Sequence, residues 1–163
     1  MSKHKEEKTN VMRVLEQKKI AYTAHTYPHE EGVAVDGVTV AKSMGFDPAI
    51  VFKTLVARGA SKQYYVFDVP VAENLDLKKA AKAVGEKSIE MIHQKELLPL
   101  TGYVHGGCSP VGMKKLFPTV FHETAENLET MIVSAGKIGY QVELAPHDLA
   151  ALVRAKFADI IVE

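Results

Sequence analysis

The chain has 163 residues, of which 47 % are hydrophobic and 25 % charged, an ordinary composition for a globular domain with a buried core. Its 20 basic and 20 acidic residues give a net charge of zero, which excludes binding to nucleic acid through a general positive field. The chain has one cysteine, no apolar run that could span a bilayer, and no secretory signal within residues 1–10. We therefore expect one domain over residues 1–163, located in a reducing cytoplasm.

Hydrophobic periodicity and turn residues predict alternating helices and strands. In the first half of the chain the predicted elements are, in order, a helix at 5–19, a strand at 21–27, a helix at 39–44, and strands at 51–57 and 64–69. In the second half they are a helix at 77–84, a strand at 88–91, a helix at 93–98, strands at 119–122, 131–134 and 140–144, a helix at 146–153 and a strand at 160–162. Strands interleaved with short helices predict an α/β domain with a mixed sheet.

Glycine, proline and polar residues mark several ends of these elements. Asn74 is the predicted N-cap of the third helix, and Gly85 follows that helix at a C-cap position. Residues 59–61 and 135–139 predict hairpin turns between strands. Pro146 begins the last helix, where its missing N–H costs nothing.

One lysine stands inside an apolar strand pattern. Lys53 lies within the run 51–56, whose other members are mostly apolar. We expect its stem in the core and its ammonium group at a cleft, because a buried charge is costly without a task or a partner. The alternative is a lysine that reaches past the core to water. Thr54 projects to the opposite face if the strand is regular, which assigns it backbone contact or support unless a bulge turns it inward.

A glycine-rich loop spans residues 106–112, with the sequence Gly-Gly-Cys-Ser-Pro-Val-Gly. It lacks the Gly-Lys-Ser/Thr ending of a P-loop, and Ser109 precedes a proline rather than standing in a Gly-X-Ser-X-Gly elbow. The loop can instead offer backbone N–H donors to a developing oxyanion, or a narrow wall against a small substrate. Cys108, three residues after His105, is either a reactive thiol or, more simply, a small apolar loop residue.

The histidines and lysines give weaker indications. His25 and His29 are four apart, but Pro28 lies between them, so they cannot share a helical face as paired metal ligands do. No cysteine pair or acidic cluster accompanies them, and we predict neither a metal nor a cofactor. Two local basic patches, at 78–87 and 114–115, are either solvated surface or modest contacts for a nucleic acid such as tRNA.

Several motifs occur together and in the same order as in a known family. They are His-Thr-Tyr at 25–27, Phe-Lys-Thr-Leu at 52–55, Asn-Leu-Asp-Leu-Lys-Lys-Ala-Ala-Lys at 74–82, Thr-Gly-Tyr at 101–103, the loop 106–112, Val-Ser-Ala-Gly-Lys at 133–137 and Val-Glu-Leu-Ala-Pro at 142–146. Through these motifs the chain resembles the YbaK/EbsC family over nearly its whole length. That family is related to the editing domain of bacterial prolyl-tRNA synthetases. The resemblance implies a barrel-like mixed sheet surrounded by short helices, and trans-acting deacylation of mischarged Cys-tRNA(Pro).

The resemblance also implies roles for individual residues. Lys53 would be the catalytic residue, and the substrate would be bound by Tyr27, Thr54, Gly106, Gly107, Ser109, Pro110, Gly112 and Ser134. The chain departs from the family at Ala135, where a glycine is frequent, and at Gln141, where some members carry an aspartate associated with activity. The implied partners are mischarged tRNA(Pro) and, as a further candidate, prolyl-tRNA synthetase.

The implied chemistry needs no nucleophile from the protein. A cysteinyl ester carries its own thiol, which can attack the ester carbonyl and release tRNA, so the enzyme must supply geometry and positive charge. Two alternatives stay open. A deacylase for alanine or serine on tRNA(Pro) would need an activated water, and a non-catalytic module would bind tRNA or a synthetase without turnover.

Overall fold

The helices and strands follow the predicted order closely. The computed structural model describes residues 8–30 and 33–163. The elements within these residues are α1 (Asn10–Gln17), β1 (Thr23–Thr26), α2 (Gly37–Ser43), β2 (Phe52–Gly59), β3 (Tyr64–Pro70), α3 (Leu77–Val84), β4 (Ile89–Met91), α4 (Gln94–Thr101), β5 (Thr119–His122), β6 (Met131–Ser134), β7 (Tyr140–Leu144), α5 (Pro146–Val153) and β8 (Ala155–Ala158). Two 3₁₀ turns, Pro48–Ile50 and Glu123–Asn127, precede β2 and follow β5.

The strands form two sheets. A three-stranded antiparallel sheet has the order β1-β7-β6, and a five-stranded mixed sheet has the order β4-β2-β3-β5-β8. In the larger sheet, β2 pairs antiparallel with both β4 and β3. Strand β5 pairs parallel with β3, and β8 pairs parallel with β5. An isolated bridge between Val51 and Ile132 links the two sheets. The predicted α/β domain with mixed strand pairing is confirmed, although the pairing among the described residues does not close into a barrel.

The main core lies between the two sheets. Alternate residues of β2 and β3, including Phe52, Val56 and Val66, pack there against Val133 and Val142 of the smaller sheet. The intervening residues of the same strands face the other way and form a second core with α3. This period of two fixes which face each strand residue occupies.

Asp76, and not the predicted Asn74, is the N-cap of α3. Its carboxylate accepts hydrogen bonds from the backbone N–H groups of Lys78 at 2.9 Å and Lys79 at 3.0 Å. Asn74 instead uses its backbone carbonyl to accept from the N–H of Val162 at 2.9 Å. The prediction was wrong because either residue type suits an N-cap, and pairing with the distant C-terminal segment decides between them.

The C-terminal strand also lies elsewhere than predicted. The chain forms β8 at Ala155–Ala158, parallel to β5, rather than a strand at 160–162. Ile161 makes only an isolated bridge with Leu75. Arg154, with φ at 58°, ends α5, so the new strand begins immediately after the helix and its partly exposed residues give no apolar run.

Helices α1 and α4 differ from prediction at their ends. Of the predicted helix 5–19, residues 5–7 lie outside the described residues, and Thr9 caps α1 by accepting from the N–H of Met12 at 3.3 Å. Helix α4 continues through Pro99 to Thr101, whereas proline was expected to end it near residue 98.

Candidate active site

A cleft of about 340 Å³ lies beside the first half of β2. Strand β2 pairs with β3 along residues 52–58 but with β4 only at Ala57–Gly59. Apart from the bridge at Val51, residues 52–56 therefore have no strand neighbour on the β4 side among the described residues. The cleft is lined by Tyr27, Ala34, Val35, Asp36, Gly37, Val40, Phe52, Lys53, Thr54, Leu55, Val71, Leu97, His105, Gly106, Cys108, Ser134 and Gln141.

The open strand edge explains how two successive residues, Lys53 and Thr54, both line the cleft. The carbonyl of Val51 accepts from the N–H of Val71, which follows β3, and the carbonyl of Val56 accepts from the N–H of Ile92, which follows β4. Because backbone groups alternate sides along a strand, the N–H and carbonyl of Thr54 point towards the β4 side. That stretch of the edge faces the cleft, so Thr54 can offer backbone hydrogen bonds there.

Lys53 is half-buried and lines the cleft. Burial lowers the pKa of Lys53, while the charges of Asp36 and Glu73 act in the opposite direction. None of the ion pairs formed by the described residues includes Lys53. A desolvated cation of this kind favours a negative charge that develops next to it, as in the transition state of acyl transfer.

The hydroxyl of Thr54 donates a hydrogen bond to Oδ1 of Asp68, which stands directly opposite on β3. Asp68 is fully buried behind the cleft wall. The pairing is regular between Phe52 and Arg58, so Thr54 lines the cleft without a bulge.

The glycine-rich loop approaches two other segments closely. Gly106 has φ at 89°, and a Cβ added there would lie 2.7 Å from Cβ of Ala34. A Cβ on Gly107 would lie 3.1 Å from the backbone nitrogen of Ile138, in the β6–β7 turn. A larger residue would separate these segments, so the first glycine shapes the cleft wall and the second holds the loop on the hairpin.

Cys108 lines the cleft, but its thiol is not activated. The residue is 7 % exposed, and burial, followed by the charge of Asp68, raises the pKa of the Cys108 thiol to about 12. At neutral pH the thiol is protonated and is a poor nucleophile. His105 also lines the cleft, but no hydrogen bond joins it to Cys108 among the described residues.

The second half of the loop lies behind the cleft rather than in its lining. Ser109 is fully buried, and its hydroxyl accepts from the N–H of Val111 at 3.2 Å. Pro110 is also buried. The hydroxyl of Tyr103 donates to the carbonyl of Val111, and a Cβ on Gly112 would lie 2.9 Å from that hydroxyl. Substrate contacts by Gly107, Ser109, Pro110 and Gly112 thus stay a prediction from the resemblance.

The β6–β7 hairpin and Tyr27 form another part of the wall. Tyr27 is 7 % exposed and follows β1, with its backbone N–H bonded to the carbonyl of Gly139 at 2.9 Å. The Ser134 hydroxyl accepts from the N–H of Gly136 at 3.1 Å. Gln141 pairs with Ser134 across the hairpin, and its buried Oε1 has no hydrogen-bond partner among the described residues. That oxygen is an available acceptor at the edge of the cleft.

Ala135, which stands where related proteins frequently carry a glycine, is compatible with the hairpin. Ala135 is fully buried, and its N–H bonds to the carbonyl of Tyr140 at 3.0 Å. The positive φ of the turn, 92°, falls on Gly136. The turn therefore needs a glycine at the second position, and alanine fits at the first.

Sequence reasoning missed two acidic residues of this region. Asp36 lines the cleft and caps α2 by accepting from the N–H of Thr39 at 3.1 Å. Asp68 lies within an apolar strand pattern, just as Lys53 does. The same signal, one ionisable residue in an otherwise apolar strand, would have identified it.

His25 and His29 each have a structural partner. Nε2 of His25 lies 2.8 Å from Oε1 of Glu143, and Nδ1 of His29 lies 3.0 Å from the carbonyl of Tyr27. Among the described residues no group of three or more histidine, cysteine or acidic side chains is arranged to hold a metal ion. Within the same residues, none of the helices has the length and apolar character needed to cross a membrane.

Comparisons with known proteins agree with this architecture. Residues 32–152 match the family model of the aminoacyl-tRNA editing domain, and the chain therefore belongs to the aminoacyl-tRNA editing domain family. A protein of Enterococcus faecalis (strain ATCC 700802 / V583) is 45 % identical over 161 residues, which cover 98 % of both chains. That relative carries the provisional name Cys-tRNA(Pro)/Cys-tRNA(Cys) deacylase EbsC.

Solved structures share the fold. One, provisionally described as a trans-editing enzyme for prolyl-tRNA synthetase, has a TM-score of 0.79 and 25 % identity, and the match covers 94 % of this chain and 95 % of that one. Another, of a hypothetical protein, has a TM-score of 0.82 at 18 % identity and covers 93 % of this chain and 99 % of that one. The second likeness supports the fold alone.

Proposed function

We propose that this protein removes cysteine from mischarged Cys-tRNA(Pro), and that the thiol of the substrate is the nucleophile. The name of the Enterococcus faecalis relative, at 45 % identity over nearly the whole chain, supports this substrate class. A cleft of about 340 Å³ is at the small end of ligand sites, which suits an amino acid esterified to a terminal ribose.

The observation that carries the proposal is a cleft with a positive charge in which neither Cys108 nor the adjacent Ser109 is an activated nucleophile. Lys53 supplies the cation. The Cys108 thiol is protonated, since its pKa is raised to about 12, and the Ser109 hydroxyl is buried and bonded to the N–H of Val111. A substrate that brings its own nucleophile needs only the groups that are present.

In this reaction the substrate sulfur attacks the carbonyl carbon of its own ester. A carbon–sulfur bond forms and the bond to the ribose oxygen breaks. The thiol proton passes to that oxygen, so tRNA leaves as the alcohol and the amino acid leaves as a cyclic thioester, a thiolactone. Lys53 stabilises the negative charge that develops on the carbonyl oxygen. In this proposal the backbone groups of Thr54 and the side-chain amide oxygen of Gln141 orient the amino acid, because the geometry of attack decides the rate.

Cys-tRNA(Pro) and Ser-tRNA(Pro) provide the test, because their amino acids differ by a single sulfur or oxygen atom. In single-turnover deacylation with saturating enzyme, we expect the cysteinyl ester to react more than about 100-fold faster, beyond what shape selection alone gives for such a pair. The thiol is the better nucleophile, since a few per cent of it is thiolate at neutral pH. Ala-tRNA(Pro) serves as the control that lacks any side-chain nucleophile.

Each alternative has its own outcome. Comparable rates on the cysteinyl and seryl esters would indicate a water-using hydrolase in which Lys53 orients the water. Binding of all three tRNAs without turnover would indicate a non-catalytic module. The same assay with tRNA(Cys), and with prolyl-tRNA synthetase added, tests the tRNA and partner preferences. The proposal implies a cytoplasmic protein, since aminoacyl-tRNA is made and used in that compartment.

A further inference from the structure

A buried carboxyl group lies directly behind the cleft wall. Asp68 is 0 % exposed, and its Oδ1 accepts the hydrogen bond of the Thr54 hydroxyl. Its second oxygen, Oδ2, is buried and has no hydrogen-bond partner among the described residues. A buried carboxyl with an unpaired oxygen is destabilising, and a valine would fill this strand position at lower cost. The residue therefore calls for an explanation other than packing.

Among the described residues, the strand neighbours of Asp68 are uncharged. On β2 it stands opposite Thr54, and on β5 it stands beside Phe121. Within the described part of the chain, the Cys108 thiol of the glycine-rich loop interacts with Asp68, and this thiol is neutral because its own pKa is raised to about 12. Burial raises the pKa of Asp68 to about 7, while the Thr54 hydrogen bond acts in the opposite direction. The carboxyl is thus poised to gain or lose a proton near neutral pH.

The ionised form fixes the direction of the Thr54 hydrogen bond. A carboxylate can only accept, so the Thr54 hydroxyl must donate its hydrogen to Asp68. The remaining lone pairs of the Thr54 oxygen are then free to accept a hydrogen bond from a donor in the cleft. When Asp68 is protonated it can itself donate to Thr54, and the hydroxyl hydrogen is released to point elsewhere.

We propose that Asp68 is a positioning residue that holds the Thr54 hydroxyl as an acceptor towards the cleft and takes up, through that hydroxyl, the proton of the substrate thiol. This inference rests on the proposed function, and it adds to Lys53 a route by which the thiol becomes the reactive thiolate.

The proton transfer balances. The thiol proton moves to the Thr54 oxygen as the Thr54 proton moves to the Asp68 carboxylate, which leaves a thiolate, an intact hydroxyl and a neutral carboxyl. The thiolate forms the carbon–sulfur bond, the carbon–oxygen bond to the ribose breaks, and the ribose oxygen takes the proton back from Asp68 through Thr54. The carboxylate is restored at the end of the step, and no further reactant is needed.

The test compares Asp68→Asn with the unmodified protein in single-turnover deacylation of Cys-tRNA(Pro) from pH 6 to 9. The asparagine oxygen can still accept from Thr54 but cannot take a proton. We expect the rate of the unmodified protein to rise with pH as Asp68 ionises. We expect Asp68→Asn to be about 100-fold slower at pH 7, the scale of general base catalysis. Its residual rate should rise only towards pH about 8.5, where a free thiol ionises.

Thr54 variants provide the matched controls. Thr54→Val removes the hydroxyl without changing the shape and should be as slow as Asp68→Asn, whereas Thr54→Ser keeps the hydroxyl and should keep the pH dependence of the unmodified protein. The double variant Asp68→Asn with Thr54→Val should be no slower than either single one, because the two residues act as a unit. The tRNA concentration for half-saturation should change little in Asp68→Asn.

The outcomes separate this inference from the proposed function. If the unmodified protein deacylates Cys-tRNA(Pro) and Asp68→Asn retains both its rate and its pH dependence, the relay is wrong and the proposed function stands. If the unmodified protein does not discriminate against Ser-tRNA(Pro), the proposed function itself fails. Should Asp68→Asn not fold, as judged by circular dichroism, Thr54→Val against Thr54→Ser decides the question, and equal rates for these two would overturn the relay.

Discussion

Two lysines of this molecule occupy contrasting environments. Lys53 lines the cleft, and Lys79 of α3 packs against the C-terminal segment. The ammonium group of Lys79 lies 2.9 Å from Oδ2 of Asp159 and 3.3 Å from a carboxylate oxygen of Glu163, and it donates to the carbonyl of Ile161 at 2.9 Å. The hydrogen bond with Asp159 is the main reason that the pKa of Lys79 is raised. Lys79 therefore ties the C-terminal segment to α3.

Lys53 shows the reverse pattern. Its pKa is lowered because burial removes water from the ammonium group, and no described carboxylate forms an ion pair with it. A cation whose partners are all within the protein stabilises the fold, whereas a desolvated cation at a cleft keeps its charge available for a ligand. Fewer lysines of the basic patch at 78–87 are then available to contact a nucleic acid, because Lys79 already forms ion pairs with Asp159 and Glu163.

Replacement of Lys53 should have the largest effect on activity. We expect Lys53→Met, which keeps an apolar stem but removes the charge, to lower single-turnover deacylation by about a thousandfold, the upper range for loss of one oxyanion-stabilising group. Lys53→Ala should be equally inactive, and both variants should fold. Lys53→Arg should not restore activity, since a planar guanidinium does not replace a compact ammonium group. Near-normal turnover by Lys53→Met would show that the Lys53 ammonium group only extends to solvent and has no part in catalysis.

Local motifs allowed several residues of the cleft lining to be singled out from the sequence. Lys53 and the loop 106–112 stand out because a charge within an apolar strand and a cluster of glycines are visible in a few successive residues. Backbone contact by Thr54 was expected, but the open strand edge that exposes its backbone groups was not predictable, because it depends on where β4 stops pairing with β2. The Thr54–Asp68 hydrogen bond likewise depends on the register between β2 and β3.

Among the helices and strands, too, local sequence signals gave correct bounds and long-range pairing was missed. The bounds of β6, β7 and α5 were predicted correctly, because a hairpin turn and a proline mark their ends locally. Strand β8 was missed, since it is defined by parallel pairing with β5, more than 30 residues earlier in the chain. Long-range pairing of this kind leaves little trace in the local pattern of hydrophobicity.

Replacement of Cys108 should have a smaller effect than replacement of Lys53, although both residues line the cleft. We expect Cys108→Ala to keep most of the deacylation activity of the unmodified protein, because the reacting thiol belongs to the substrate. The free energy of unfolding should fall by about 1 kcal/mol through lost packing, the typical scale of a point substitution. Denaturant unfolding and single-turnover rates measure the two effects separately. A thousandfold loss of activity at unchanged stability would instead make Cys108 a nucleophile and contradict the proposed mechanism.

The smallest expected effect concerns Lys79. Lys79→Met should leave deacylation unchanged and lower the melting temperature slightly, and the difference should be greater at low salt than at high salt because ion pairs at the surface are screened. Lys82→Met, at an exposed lysine of the same helix, is the matched control and should change neither property. Gel-shift titration with tRNA tests whether Lys79 also contacts the nucleic acid. If Lys79→Met weakens tRNA binding more than Lys82→Met does, Lys79 serves the ligand as well as the fold, and its ion pairs with the C-terminal segment must open when tRNA binds.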